Sequence, residues 1–324
     1  MFLAESECLV YGCNGCGLVA VQKAANQSRE VLALILRLSQ TVLSVFFVLM
    51  VTAAPQAHAV ERSLEKVRGN VYKFVNDRHR SMVMVGPDSV LVTDPINTEA
   101  ATWLKAEIKK RFNLPIHYVV YSHNHADHVY GGEVFQSDHT TFVSHELAKQ
   151  DLVLTRARTV IPSVTFDQTL TLNLGDQRVE LRYHGPNDGR GSISMLFLPE
   201  KVLHVVDWVL VGRMPWKGLW SYDIAGVINS TKEVLDLDFE VFVGGHADQS
   251  DRAGVERYFK YLNSLYAAVI DGIHAGQSLE QLKASIRLDE FSDLKHYEDW
   301  LPMNIEGVHE RLMEESGMGW RPMP

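Results

Sequence analysis

The segment YSHNHADHVYGG, residues 121–132, narrows what this chain can fold into more than any other stretch. It sets His123, His125, Asp127 and His128 directly after the apolar run IHYVV and closes on Gly131 and Gly132. The apolar run reads as a buried strand. In extended backbone, residues two apart face the same side, so His123 and His125 at the strand's end can turn their imidazoles toward one point. If the chain enters a helix near Ala126, Asp127 and His128 swing toward a neighbouring point, and one segment can serve two metal ions. Neutral imidazole with carboxylate suits zinc and related first-row divalent ions. The paired glycines let the turn approach other backbone closely. The bland alternative is four polar residues in a solvated loop.

Strand and helix signals alternate around this segment. NVYKFVND, RSMVMVG and SVLVTDP are short β-branched and aromatic runs separated by turn residues, and they read as an antiparallel meander. TEAATWLKAEIKKRF has helical apolar spacing. Further on, RVELRYHG, SISMLFLP, KVLHVVD and FEVFVGG are strands, with IAGVINSTKEVLDL a helix between the last two. Two strand-rich halves with interspersed helices predict helices packed outside two apposed sheets. From Asp251 the texture turns helical: RAGVERYFKYLNSLYAAVIDGIHAG can stop at Gly276, SLEQLKAS opens with a capping box at Ser278 and Gln281, and WLPMNIEGVHERLMEE makes one more helix. The expected organisation is a leader over 1–59, a catalytic domain over 60–250 and a helical extension over 251–324.

The amino terminus differs in kind. Arg37 is the sole charge between Val31 and Val60, and TVLSVFFVLMVTAAPQAHA runs from an apolar centre into the small-x-small pattern Ala57-His58-Ala59. That is the form of a signal peptide cleaved after Ala59, which implies a periplasmic or secreted protein; an uncleaved leader acting as membrane anchor is the alternative. Cys8, Cys13 and Cys16 all lie in this leader, so a mature chain from Val60 has neither disulfide nor thiolate ligand. The Cys13–Cys16 spacing alone is weak evidence for metal. A chain of 324 residues that is 46% hydrophobic can bury a large core, and its formal charge of −9 repels polyanions, so a small-molecule substrate is expected and nucleic acid is not.

His123-Asn124-His125-Ala126-Asp127-His128 matches the HxHxDH signature of the metallo-β-lactamase superfamily, and the chain resembles that family over about residues 65–250. The resemblance implies a four-layer αββα sandwich of α/β class with the helical extension appended. It also implies two divalent ions, zinc first, with iron or manganese as alternatives. Position by position, it makes His123, His125, Asp127 and His128 ligands and Asp127 the catalytic carboxylate. Asp207, after KVLHVV, takes the place of a bridging carboxylate, and His246, in VFVGGHAD, that of a later histidine on the second metal. Asp94 resembles an early strand-end aspartate that supports the site from behind.

HGPNDGRGS departs from the family pattern, placing Asp188 where a third histidine of the first metal set is usual. We expect Asp188 as ligand; His184 is the alternative if the loop runs differently. A carboxylate there leaves less residual positive charge on two divalent ions, hence weaker Lewis acidity, a preference for a harder ion, slow turnover or a single metal. The loop WVLVGRMPWKGLWSY, with Trp208, Trp216, Trp220, Arg213 and Lys217, is the expected substrate mouth. Because no cysteine follows residue 59, the resemblance excludes the thiolate-ligand lactamases. Asp207 points toward hydrolases similar to glyoxalase II, lactonases and periplasmic quinoprotein-associated members, to which the WLPMN helix is also similar. The expected activity is metal-dependent hydrolysis of an ester, thioester, lactone or lactam. The alternatives are a catalytically impaired metal-binding or ligand-sensing protein and an iron-dependent sulfur oxygenase.

Overall fold

A computed structural model describes residues 29–38, 60–247, 249–314 and 317. Chain contacts divide it into residues 1–59 and 60–324. In the first unit, residues 29–38 form helix α1. The apolar stretch before Ala59, the cleavage site and the Cys13–Cys16 pair lie outside the described residues. No described helix is long and apolar enough to cross a membrane.

The second unit holds two sheets. Strands β1 (Arg62–Arg68), β2 (Val71–Asn76), β3 (His79–Val85) and β4 (Val90–Thr93) form an antiparallel meander, as their turn-separated runs predict. The same sheet continues through β5 (Ile116–Val120), β6 (Thr141–His145) and β7 (Val164–Phe166), each parallel to the strand before it. The other sheet runs β8 (Thr169–Leu174), β9 (Gln177–Tyr183), β10 (Ile193–Leu198) and β11 (Val202–Val205) antiparallel, then β12 (Val241–Gly244) parallel to β11.

Alternation of side chains along these strands separates three cores, which define four layers. Between the sheets, Met82, Met84, Leu91, Val120 and Val143 meet Leu172, Leu181, Met195, Phe197 and Val243. Outside the first sheet, Val83, Val92 and Val119 pack against Ala100, Leu104 and Ile108 of α2 (Thr98–Arg111). Outside the second, Leu196, Leu203 and Val205 pack beneath α5 (Ile224–Leu235), α6 (Arg252–His274), α7 (Leu279–Ser285) and α8 (Tyr297–Glu314). The chain is an α/β sandwich of two sheets with helices on both outer faces.

Local chemistry starts and stops the helices. Asn97 caps α2 by accepting from the Ala100 amide at 2.8 Å, and Asp251 caps α6 through the Gly254 amide at 3.2 Å. At α7, Ser278 and Gln281 bond reciprocally as the capping box predicts. These devices fix where each strand-to-helix turn falls, and the turns after β4, β5, β11 and β12 carry the site.

Candidate active site

β5 ends at Val120, the chain bends through residues 122–124, and His125 is extended, with φ −67° and ψ 141°, as the residue before helix α3 (Ala126–Val129). This is the strand-to-helix switch anticipated at Ala126, and it splits the motif as expected. His123 and His125 lie together, ring centroids 4.3 Å apart, while Asp127 and His128 point to a second location. The turn depends on Gly131. Its φ is 88°, and a Cβ there would overlap the Asn97–Thr98 backbone at the start of α2.

Two aspartates arrive from other strand ends, both in backbone conformations that side chains other than glycine rarely adopt. Asp94 follows β4 with φ 32°, and Asp207 follows β11 with φ 66°. Tyr222 steadies the latter by donating its hydroxyl to the Asp207 carbonyl at 2.5 Å. Asp207 Oδ2 lies 3.1 Å from His123 Nε2 and 3.3 Å from His125 Nδ1. Its Oδ1 lies 3.2 Å from His246 Nε2 and 3.5 Å from His128 Nε2. The structure therefore gathers His123, His125 and Asp207 in one group, and Asp127, His128 and His246 with His79 in another.

These atoms fit divalent metal. His123 Nε2 and Asp207 Oδ1 are buried without a hydrogen-bond partner. His128 Nε2 and His246 Nε2 face each other at 2.9 Å. His246 Nδ1 meets the Arg78 carbonyl at 3.2 Å, which calls for a proton on Nδ1 and turns the Nε2 lone pair toward Asp207. His123 Nδ1 is taken by the Ser122 hydroxyl at 2.8 Å, so Nε2 is likewise its inward atom. Such outer partners fix ligand orientation in metal sites.

The superfamily profile for metallo-β-lactamases matches residues 76–246. The chain belongs to the metallo-β-lactamase superfamily. It is thereby an enzyme of the metallo-hydrolase kind, within a superfamily of several chemistries. It is similar to the 2,4-dinitroanisole O-demethylase subunit alpha of Nocardioides sp. (strain JS1661), with 25% identity over 240 residues, covering 72% of this chain and 69% of that protein. Its fold is similar to that of a metallo-β-lactamase from Pontibacter korlensis, with TM-score 0.56 and 18% identity over 63% of this chain and 99% of that one.

The superfamily site carries strong internal fields here. Burial disfavours a charged His128, but Asp207, Asp94 and Asp127 outweigh it and raise its pKa to about 9. Burial, with His125 alongside, lowers His123 to about 3. Burial would raise Asp207, yet His128, His123 and His125 hold it well below the usual carboxylate range. Asp127 also sits far below that range, because the neighbouring His246 and His79 imidazoles exceed its burial penalty. Asp94 lies behind these groups: its Oδ1 accepts from the Ser122 amide at 2.8 Å, and its Oδ2 lies 3.8 Å from His128 Nδ1. Three carboxylates converging on largely buried imidazoles favour a cation.

Asp188 and His184 part company. His184 has both ring nitrogens engaged, by Glu233 at 2.9 Å and Ser194 at 2.8 Å, and is absent from the cavity wall. Asp188 does line the cavity; burial and then Asp207 push its carboxyl up to about 6. It stands beside the first group and not inside it, accepting the Ser221 hydroxyl on Oδ1.

The expected mouth needs two corrections and one addition. Trp208 is 0% exposed and packs in the helical core, so it forms no part of the mouth; Trp216 and Trp220, 43% and 67% exposed, do line the cavity with Arg213. Lys217 is not in that wall and instead lies 4.9 Å over the Trp216 ring. His79, which the motif gives no reason to single out, enters from the β2–β3 hairpin with Nε2 3.1 Å from Asp127 Oδ2. Its only sequence signal is a histidine at a hairpin turn.

Proposed function

We propose that this protein is a metal-dependent hydrolase acting on an ester, thioester, lactone or lactam of a small molecule. The observation that carries the reading is the Asp207 carboxylate, with one oxygen toward each histidine group on the wall of a cavity of about 370 Å³. Divalent ions held by these groups, zinc first and iron or manganese next, would lower the pKa of bound water and polarise the scissile carbonyl. His123, His125 and Asp207 would hold one ion; Asp127, His128, His246 and Asp207 would hold the other, with His79 orienting Asp127. Asp188, which stands beside the first set and shares the cavity with His125 and Asp207, would add a second carboxylate next to that ion. Asp127 is half exposed and anchored through Oδ2, which suits its carboxylate to orient a water at the cavity surface by accepting a hydrogen bond from it. Trp216, Trp220 and Leu219 give the cavity apolar walls that exclude bulk water from the leaving group. The leader's apolar centre and Ala57-His58-Ala59 support export to the periplasm or beyond.

Metal content per purified chain, measured with hydrolysis of an ester, thioester, lactone and lactam panel, tests the proposal. Bound metal with turnover lost in His123→Ala supports it; a metal-free chain that hydrolyses nothing after metal is supplied overturns it.

A second reading has its own support. The Nocardioides relative bears the name of an O-demethylase of 2,4-dinitroanisole, and the aromatic walls here suit an aryl substrate. Water attack on such an ether releases a phenol and methanol, whereas oxidative removal of the methyl group consumes oxygen and releases formaldehyde. Incubation with 2,4-dinitroanisole, with methanol, formaldehyde and oxygen all measured, separates ether hydrolysis from oxygenation and both from no reaction.

A further inference from the structure

His79 reaches the site on an element of its own, and that element is pinned on both sides of it. The β2–β3 hairpin turns at Asp77, whose φ is 54°, and His79 is the first residue of β3. Just before it, the Arg78 carbonyl lies 3.2 Å from His246 Nδ1; just after it, the Arg80 amide donates to the Gly245 carbonyl at 2.8 Å. Both anchors belong to the turn after β12, the turn that carries His246 itself. The backbone beneath the imidazole is thereby fixed. Its ring lies 4.5 Å from that of His246 and 5.6 Å from that of His128, and it shares the cavity wall with Asp127.

The distances around Asp127 Oδ2 are those of donors around a common point. This oxygen is 3.1 Å from His79 Nε2, 3.6 Å from His128 Nε2 and 3.6 Å from His246 Nε2, and the last two nitrogens are 2.9 Å apart. One donor atom from each of the four residues lies within 4.8 Å of the other three. Donors placed tetrahedrally at about 2.0–2.1 Å from zinc are about 3.3–3.4 Å from one another, and the observed distances bracket that spacing. A residue that only held Asp127 by a hydrogen bond would have no need to face the two imidazoles as well, and His79 faces both.

We propose that His79 is a direct donor to the ion of the second group, which then has four protein side chains before the Asp207 oxygen is counted. The inference rests on the metal-bound reading of the site and gives His79 a role beyond orienting Asp127. The first group, by contrast, has three members, His123, His125 and Asp207. Closed donor sets retain metal, whereas sets with an open position admit water and substrate. The two positions are therefore unequal. The second takes up and keeps the first equivalent of metal, and the first carries the exchangeable position, which opens on the cavity beside His125.

Cadmium in a spin-half isotope, loaded into the full chain with its histidines labelled in spin-half nitrogen, tests the bond directly, because scalar coupling passes from metal to ring nitrogen only through coordination. Wild type is expected to show His79 coupled to the same cadmium nucleus as His128 and His246, and His79→Gln to lose that coupling and keep the other two. Competition with a chelator is expected to show the tighter cadmium equivalent weakened about a hundredfold or more in His79→Gln. A cadmium nucleus coupled to His128 and His246 and to no third imidazole overturns the donor, and with it any loss of affinity in the variant is assigned to the positioning of Asp127. Equal affinity in wild type and variant overturns it as well. If His79→Gln fails to fold, the couplings of wild type decide alone. The readout needs no substrate: a chain that couples His79 to cadmium yet hydrolyses nothing sinks the hydrolase reading and leaves the donor standing, whereas a chain that takes up no cadmium, zinc, iron or manganese sinks both.

Discussion

Asp207 faces His123 with one carboxylate oxygen, Oδ2 at 3.1 Å, and His246 with the other, Oδ1 at 3.2 Å. A single side chain thus joins histidines that are 123 positions apart in sequence. Asp207→Asn keeps the volume and removes the charge that both groups share. Metal content by mass spectrometry is expected to fall, kcat/KM to drop about a hundredfold or more, and the rise in Tm that zinc confers on wild type to disappear. Full metal content with unaltered turnover would show that the carboxylate bridges nothing.

Gly131→Ala tests the turn that aims Asp127 and His128. The new methyl group meets the Asn97–Thr98 backbone while φ stays near 88°, so either the helix start or the turn must shift. The expected cost is about 2 kcal/mol or more, read as a lower urea midpoint, together with weaker metal binding. A fully stable variant with normal metal content would mean that the turn has slack.

His204 supplies a pH dependence outside the ligand set. It is fully buried on β11, its Nδ1 is 2.7 Å from the Val243 carbonyl, and burial lowers its pKa to about 4. The unfolded chain takes up this proton near pH 6.5, whereas the folded chain resists it until about pH 4. Unfolding is therefore favoured as pH falls through that window, by about 3 kcal/mol from this group when the window is crossed. The difference between wild type and His204→Gln in urea denaturation of the metal-free protein isolates it: the decline from pH 7 to 4 is expected to be shallower in the variant. Equal slopes would assign the acid sensitivity elsewhere.

Asn304 couples the last helix to the mouth. It is fully buried on α8, accepts from Tyr261 at 2.8 Å, and donates Nδ2 to the Pro215 and Lys217 carbonyls at 3.2 and 2.6 Å. Asn304→Ala strands three polar groups and is expected to destabilise by about 3 kcal/mol. Its functional signature should be a raised KM with metal content unchanged, because the loop carrying Trp216 loosens while the ligands stay fixed. A metal content that falls along with stability would place Asn304 in support of the centre itself.

The density of histidine after an apolar strand made half of the site readable before any coordinates, because spacing within one segment determines which side chains can meet. Asp207 and His246 were readable too, but only because a resemblance supplied the expectation that later strand ends converge. His79 was not. Its proximity to Asp127 depends on how the β2–β3 hairpin folds over the motif, a long-range relation that leaves no local pattern. Trp208 misled for a related reason: a tryptophan one residue past a strand-end aspartate is equally compatible with a wall and a core, and burial alone separates them. Among the elements, β2 to β5, β9 to β12 and the helices α2 and α5 to α8 follow their periodicity. The short β6 and β7 carry few residues and little alternation, and their strand character comes from pairing alongside β5.

The hold of α8 on the tryptophan-bearing loop divides labour along the polypeptide. Under the proposed function, strand ends between β4 and β12 would govern reactivity, and the final helix would govern which molecules gain entry. On that reading, variation near the carboxyl terminus would retune selectivity in descendants of this chain while the metal-holding residues are inherited intact.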